Sequence, residues 1–253
     1  MSPSLVAALV MLPTLGAAFI GRRVGAHLPQ HMVGDESKLV VKVTSGLIAT
    51  LSALVLGLVT ASAEGEFDGE QTSVQHLSAD LVSLDRLLAR YGPEAAPIRT
   101  QLKVAVEHRL ALTWPEDGSR STHTITPETV SGAELLEDRI RDLVPSSDHQ
   151  RWIQGQALDV SRDILQARWS FFGAQPPPVQ PVFLAVLLFW LILLFFSFGL
   201  FAPRHGLAAI AILLCSLSVS SAVFLIFELG TPFDGVIRVS PVPLRYALSR
   251  LGG

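Results

Sequence analysis

The sequence predicts an all-α membrane protein: four transmembrane helices, with a helical extramembrane bundle inserted between the second and third. Three observations carry this. The 253 residues are 49% hydrophobic and only 16% charged, a balance too apolar for a soluble domain of this length. Leu5–Ile20, Val40–Ala63, Val182–Phe201 and Gly206–Leu229 are apolar runs of the length needed to cross roughly 30 Å of hydrocarbon. In the long polar stretch between the second and third runs, apolar residues recur at three and four, the period of an amphipathic helix. The chain therefore divides into residues 1–63 with spans one and two, 64–178 as the helical insert, 179–229 with spans three and four, and 230–253 as a tail.

The first run is short, and Pro13 in its middle is expected to kink it. No Lys or Arg precedes it and Arg22 and Arg23 follow, the pattern of an anchoring helix rather than a cleaved leader. A polar connector, Gly21–Leu39, carries His27, His31, Asp35 and Glu36. Pro29 interrupts any shared face of the two histidines, and no further ligand lies near, so no metal site is expected.

The second run carries one charge, Lys42, and an internal order that lipid alone does not require. Ser45, Ala49, Ala53, Gly57 and Ala61 follow one another at four-residue steps, with Gly46, Thr50 and Thr60 beside them. Leu47, Leu51, Leu54, Val55 and Leu58 occupy the far side, and no other span is expected to have an equally thin face. Small residues let helix backbones approach closely. The same row continues outside the membrane through Glu64 and Asp68 to Gln71 and Gln75, which suits a helix lining a water path. The expected pore-lining residues are Ser45, Ala49, Thr50, Ala53, Gly57 and Ala61, with Glu64 and Asp68 as an acidic mouth. The alternative is a plain packing surface with solvated acids at its exit.

The helix is expected to run on through Val74, Leu77, Leu81, Leu84, Leu88 and Tyr91 until Gly92-Pro93 stops it, with Gly65 and Gly69 as places to bend. A helix over Pro93–Leu112 buries Ile98, Leu102, Val106 and Leu110 and ends at Trp114-Pro115. Glu116–Thr126 reads as a loop, and Thr126-Pro127-Glu128 as the start of a helix bearing Leu135, Leu136, Ile140 and Leu143. A fourth helix, capped by Ser147 or Asp148, carries Trp152, Ile153, Ala157, Val160, Ile164, Leu165 and Trp169. Pro176-Pro177-Pro178 is a stiff return to the membrane.

The third span is apolar on every side, as a lipid-facing helix is. A short turn, Ala202–His205, leads to the fourth, whose Ser216, Ser218, Ser220 and Ser221 favour packing against the second span. Ser218, Ser221 and Glu228 are the intramembrane polar candidates. Glu228 reads as a structural group at a span end, hydrogen-bonded to the tail backbone, with a catalytic acid or proton relay as the alternative. In the tail, Leu244, Ala247, Leu248 and Leu251 oppose Arg245 and Arg250, the pattern of a short interfacial helix.

Other classes are disfavoured. No GxSxG, Walker, HExxH or CxxC motif occurs, so neither an enzyme nor a cofactor is expected. Cys215 is the single cysteine, so no intrachain disulfide forms. Residues 64–178 hold 18 acidic and 11 basic side chains, a net −7 against +4 elsewhere, which argues against a nucleic-acid partner. Four spans place both termini and the insert on one side. Charge does not choose that side: Arg22, Arg23, Lys38 and Arg204 balance Arg162, Arg168, Arg238 and Arg245.

Three segments, TSGLIATLSALVLGLVTASAEGEFD, LDRLLARYGPEA and FLIFELGTPFDGVIRVSPVPLR, resemble the bestrophin-like family of bacterial membrane proteins. True bestrophins, to which that family is more loosely related, are homopentameric ion channels whose second membrane helix lines the pore and whose helical extramembrane part is cytosolic. The resemblance implies an oligomeric ion channel of the inner membrane, with copies of itself, lipid and ions as partners. It also implies that the termini and residues 64–178 are cytoplasmic. This chain is shorter than bestrophins, with a smaller insert and no Phe-rich constriction, so selectivity does not carry over. The acidic mouth instead suggests cation preference. A non-conducting structural or signalling protein is the main rival and a small-ion transporter the third reading.

Overall fold

A computed structural model describes residues 3–27, 34–115, 135–172, 181–203 and 205–252. The described residues form helices and turns and contain no strand. In chain order the helices are α1 (Pro3–His27), α2 (Asp35–Tyr91), a 3₁₀ turn (Pro93–Ala95), α3 (Ala96–Thr113), α4 (135–141), α5 (Asp148–Phe172), α6 (Pro181–Phe201), α7 (Gly206–Leu229) and α8 (Val242–Arg250). Four of them, α1, α2, α6 and α7, are long and apolar enough to cross a membrane. The expected loop from Glu116, the helix start at Thr126-Pro127-Glu128, the triple proline, His31, Arg204 and the Trp169 side chain lie outside the described residues.

The chain forms two compact units, Met1–Glu66 with Pro176–Thr231 and Phe67–Gln175 with Pro232–Gly253. In the first, α1 is the centre. It continues through Pro13 without interruption and takes in Arg22 and Arg23, longer than the apolar run alone suggests. It meets α6 so closely that a Cβ at Gly21 would fall on the Phe196 carbonyl, one at Gly25 on that of Leu200, and one at Gly199 on that of Ala18. This corrects the expectation that the second span alone is thin: Gly21 and Gly25, four apart, are a small-xxx-small pair set against α6 backbone. α7 packs on α1, where the buried hydroxyls of Thr14 and Ser216 lie 2.9 Å apart. α7 also meets α2, its expected partner: Leu56 joins Val6, Val10, Leu187, Leu191 and Val223 in an apolar cluster, and Val55 and Val59 line a cleft with Val223, Ile226 and Phe227.

The second unit is built on the amphipathic part of α2. Leu81, Leu84, Leu88 and Tyr91 are buried with Ile98, Leu102 and Val106 of α3, Leu136 and Ile140 of α4, and Ile153, Ala157 and Ile164 of α5. α2 ends where the sequence predicts, at Gly92, whose φ of 136° favours glycine. α3 likewise ends at Trp114, whose indole donates to the Val239 carbonyl at 2.9 Å and stands edge-on to Phe233. The Gln154 amide ties α5 to the end of α4 by donating to the carbonyls of Ile140 (2.9 Å) and of Leu143 (2.8 Å) just beyond the helix.

α8 forms as expected, but its apolar edge does not lie on lipid. Leu244, Ala247 and Leu251 are buried, with Leu244 and Leu251 in the core of the second unit, so the tail belongs to that unit rather than to a membrane surface.

Candidate pore-lining face

An α-helix turns about 100° per residue, so a four-residue step overshoots a full turn by about 40°. A row spaced by four therefore spirals. In α2 this decides where the expected lining residues lie. Ser45 is buried and Ala49 half-buried, facing the chain's own helices with Ile48, Ser52, Val55, Leu56, Val59 and Ala63. Thr50, Ala53, Gly57 and Ala61 are exposed, and so are Gly46, Glu64 and Asp68. At the same rotation per residue, these seven fall within an arc of about 80°. Leu47, Leu51, Leu54 and Leu58 occupy the next arc and are exposed too.

The transmembrane part of α2 thus has three faces, and its own chain covers only the first. The second is narrow and small-residued. A Cβ built at Gly46 or Gly57 would meet nothing within 4 Å, so these glycines border open space, unlike Gly21, Gly25 and Gly199. The Thr50 hydroxyl donates to the Gly46 carbonyl at 2.9 Å and leaves only its methyl and lone pairs turned outward. The third face is a row of leucines. Glu64 ends the small-residue arc inside the first unit, and Asp68 is the next residue of that arc along α2, within the second unit. α2 is helical through Gly65 and Gly69.

The other polar candidates separate. Ser218 and Ser221 are exposed, and Ser221 returns its proton to the Leu217 carbonyl at 2.8 Å. Ser216 and Ser220 are the buried serines of α7. Glu228 is buried at the end of α7, and its backbone carbonyl accepts from the Thr231 N–H at 3.1 Å. Cys215 is a free, exposed thiol. Among the described residues no three of His, Cys, Asp and Glu gather as a metal site would need.

Two structural groupings escaped the sequence reading. The α1–α6 glycines had a signal, the spacing of Gly21 and Gly25. A buried ion pair, Asp85 with Arg99 at 2.8 Å on both carboxylate oxygens, had a weaker one: an acid set against the apolar row of Leu81, Leu84 and Leu88.

The family model for the bestrophin-like domain matches residues 8–244. Among solved structures, the chain is similar to variants of a bacterial bestrophin homologue from Klebsiella pneumoniae. One aligns with a TM-score of 0.68 at 15% identity, covering 99% of this chain and 97% of that one. Another aligns at 0.65 and 16% identity over 96% of each chain. A third aligns at 0.63 and 17% identity, covering 96% of this chain and 98% of that one. At such identities the likeness is one of fold. No curated protein matched the chain.

Proposed function

The chain belongs to the bestrophin-like family, and from that premise we propose that it is an oligomeric ion channel of the bacterial inner membrane whose pore is lined by α2. The observation that carries this reading is the uncovered arc of Gly46, Thr50, Ala53, Gly57 and Ala61. Residues this small leave room around an axis, while the adjacent leucine row gives a neighbouring subunit an apolar surface to bury. Ser45 and Ala49 then stand behind the lining, holding α2 to its own chain. Five copies is the number implied by resemblance to bestrophins.

Around such an axis Glu64 and Asp68 each become a ring. Carboxylates about 8 Å apart repel by roughly 2 kcal/mol at an effective dielectric near 20, so the ring gains by holding cations and opposes anions. The channel is accordingly cation-preferring. Purified protein in planar bilayers under asymmetric KCl tests this through the sign of the reversal potential. The expected result is a cation-selective current that Glu64→Gln with Asp68→Asn weakens. Anion-selective current, or selectivity untouched by the double substitution, removes the acidic mouth from the reading. No current under varied voltage, pH and calcium favours a non-conducting protein in which the same face only fastens helices.

A further inference from the structure

In the first unit, hydroxyls return hydrogen bonds to their own helix: Thr14 donates to Val10, Thr44 to Val40, Thr60 to Leu56 and Ser197 to Leu193, each four residues back. Ser52 on α2 and Ser220 on α7 do not. Ser52 is 5% exposed and Ser220 3%, and neither Oγ has a hydrogen-bond partner among the described residues. A buried hydroxyl left unpaired costs about 1–3 kcal/mol. Back-bonding to the helix carbonyl is the ordinary local remedy, and neither serine uses it.

Their positions converge. Val55 and Val59 of α2 and Val223 and Phe227 of α7 line one apolar cleft, closed on another side by Leu184 and Leu187 of α6. Ser52 lies one turn before Val55 and two before Val59; Ser220 stands in the same relation to Val223 and Phe227. As second and fourth spans, α2 and α7 run in the same direction, which brings both serines to the same end of the cleft. One turn further back on α7 is the buried Ser216–Thr14 pair. The Val10 and Met11 carbonyls and the Ser216 oxygen all lie 2.9 Å from the Thr14 hydroxyl, so either hydroxyl of the pair can donate to the other. Ser216 and Ser220 thus stand about one turn apart on the buried side of α7.

We propose that Ser52 and Ser220 hold an ordered water between α2 and α7 inside the membrane unit. The water accepts from one hydroxyl and donates to the other, and Ser216 supplies a further acceptor close by. A water is retained where two to four polar partners meet, whereas a purely apolar cavity stays dry. Bridged in this way, the serines are positioning residues: they fix the rotation of α2 about its own axis and so which arc it leaves uncovered. The site rests on the burial of the two hydroxyls and stands whether or not the protein conducts.

Thermal unfolding of the intact protein in detergent tests it with Ser52→Ala, Ser220→Ala and the double variant, and with Ser221→Ala as a control on the exposed side. If the hydroxyls are dry and unpaired, alanine removes a buried polar atom and the midpoint stays or rises, which overturns the proposal. If they share a water, each single variant lowers the midpoint by about 2–4 °C. The double variant then falls no further than the worse single, because the first substitution already releases the water. Additive losses overturn the proposal as well. A second measurement uses Ser52→Cys with Ser220→Cys in a Cys215→Ser background. Mercuric ion, which bridges two thiols across the space of a water, is expected to protect both from maleimide; full labelling overturns the juxtaposition.

Discussion

Asp85 is the acid that the apolar row of α2 carries into the interior of the second unit, where its side chain is 4% exposed. A carboxylate there is tolerable only with strong partners. Arg99 supplies two parallel hydrogen bonds at 2.8 Å, and the Gly252 N–H adds a longer one at 3.4 Å from the C-terminal segment. The hydrogen bond to Asp85 raises the Arg99 pKa above its ordinary value, against the effect of burial, so the guanidinium stays charged. Removing the carboxylate leaves a largely buried cation without its main counter-charge. Asp85→Ala is therefore expected to lose roughly 3 kcal/mol. Asp85→Asn, which keeps one acceptor, loses less. Thermal melts in detergent read both, and an unchanged midpoint for Asp85→Ala contradicts the account.

At the scale of elements, two glycine-bearing helices with similar composition do opposite things. Gly21 and Gly25 of α1 are small because α6 backbone lies against them; Gly57 of α2 is small with open space around it. Gly21→Leu forces bulk into a close helix contact and is expected to cost roughly 1–3 kcal/mol or more, seen as loss of folded monomer. Gly57→Leu has room within its own chain, so the monomer folds and only assembly suffers. Cross-linking and light scattering in detergent separate the cases, and an unchanged oligomer size for Gly57→Leu refutes assembly through this arc. The amphipathic half of α2 was legible from its spacing, since Leu81, Leu84, Leu88 and Tyr91 are the residues that become buried. The face that α8 buries was equally legible, but not its partner: the same apolar edge fits an acyl surface or a protein core.

For the whole molecule, four spans fix the parity of the termini but not their side, because the flanking bases are balanced. The resemblance to bestrophins implies, as a proposal, that both termini and residues 64–178 are cytoplasmic. A reporter fused after Gly253 is then inactive if it requires the periplasm and active if it requires the cytoplasm; the reverse pattern inverts the arrangement and moves the acidic residues Glu64 and Asp68 to the outer side. The proposed cation preference would depend on the proposed ring rather than the side, so the bilayer measurement and the fusion answer separate questions.

By itself the sequence determined the number of apolar helices, the apolar edges of the described amphipathic helices, and the stops at Gly92 and Trp114. Each of these depends on composition, period or a residue's own backbone preference within a few turns. Tertiary structure decided which third of α2 its own chain covers, that α7 packs on α1 as well as meeting α2, and that the tail closes over the second unit. Those outcomes depend on which neighbour arrives at a face. A row spaced by four illustrates the reason: it winds about 40° at every step, so Ser45 and Gly57 share a row in the sequence and opposite fates in the fold, one buried and one open.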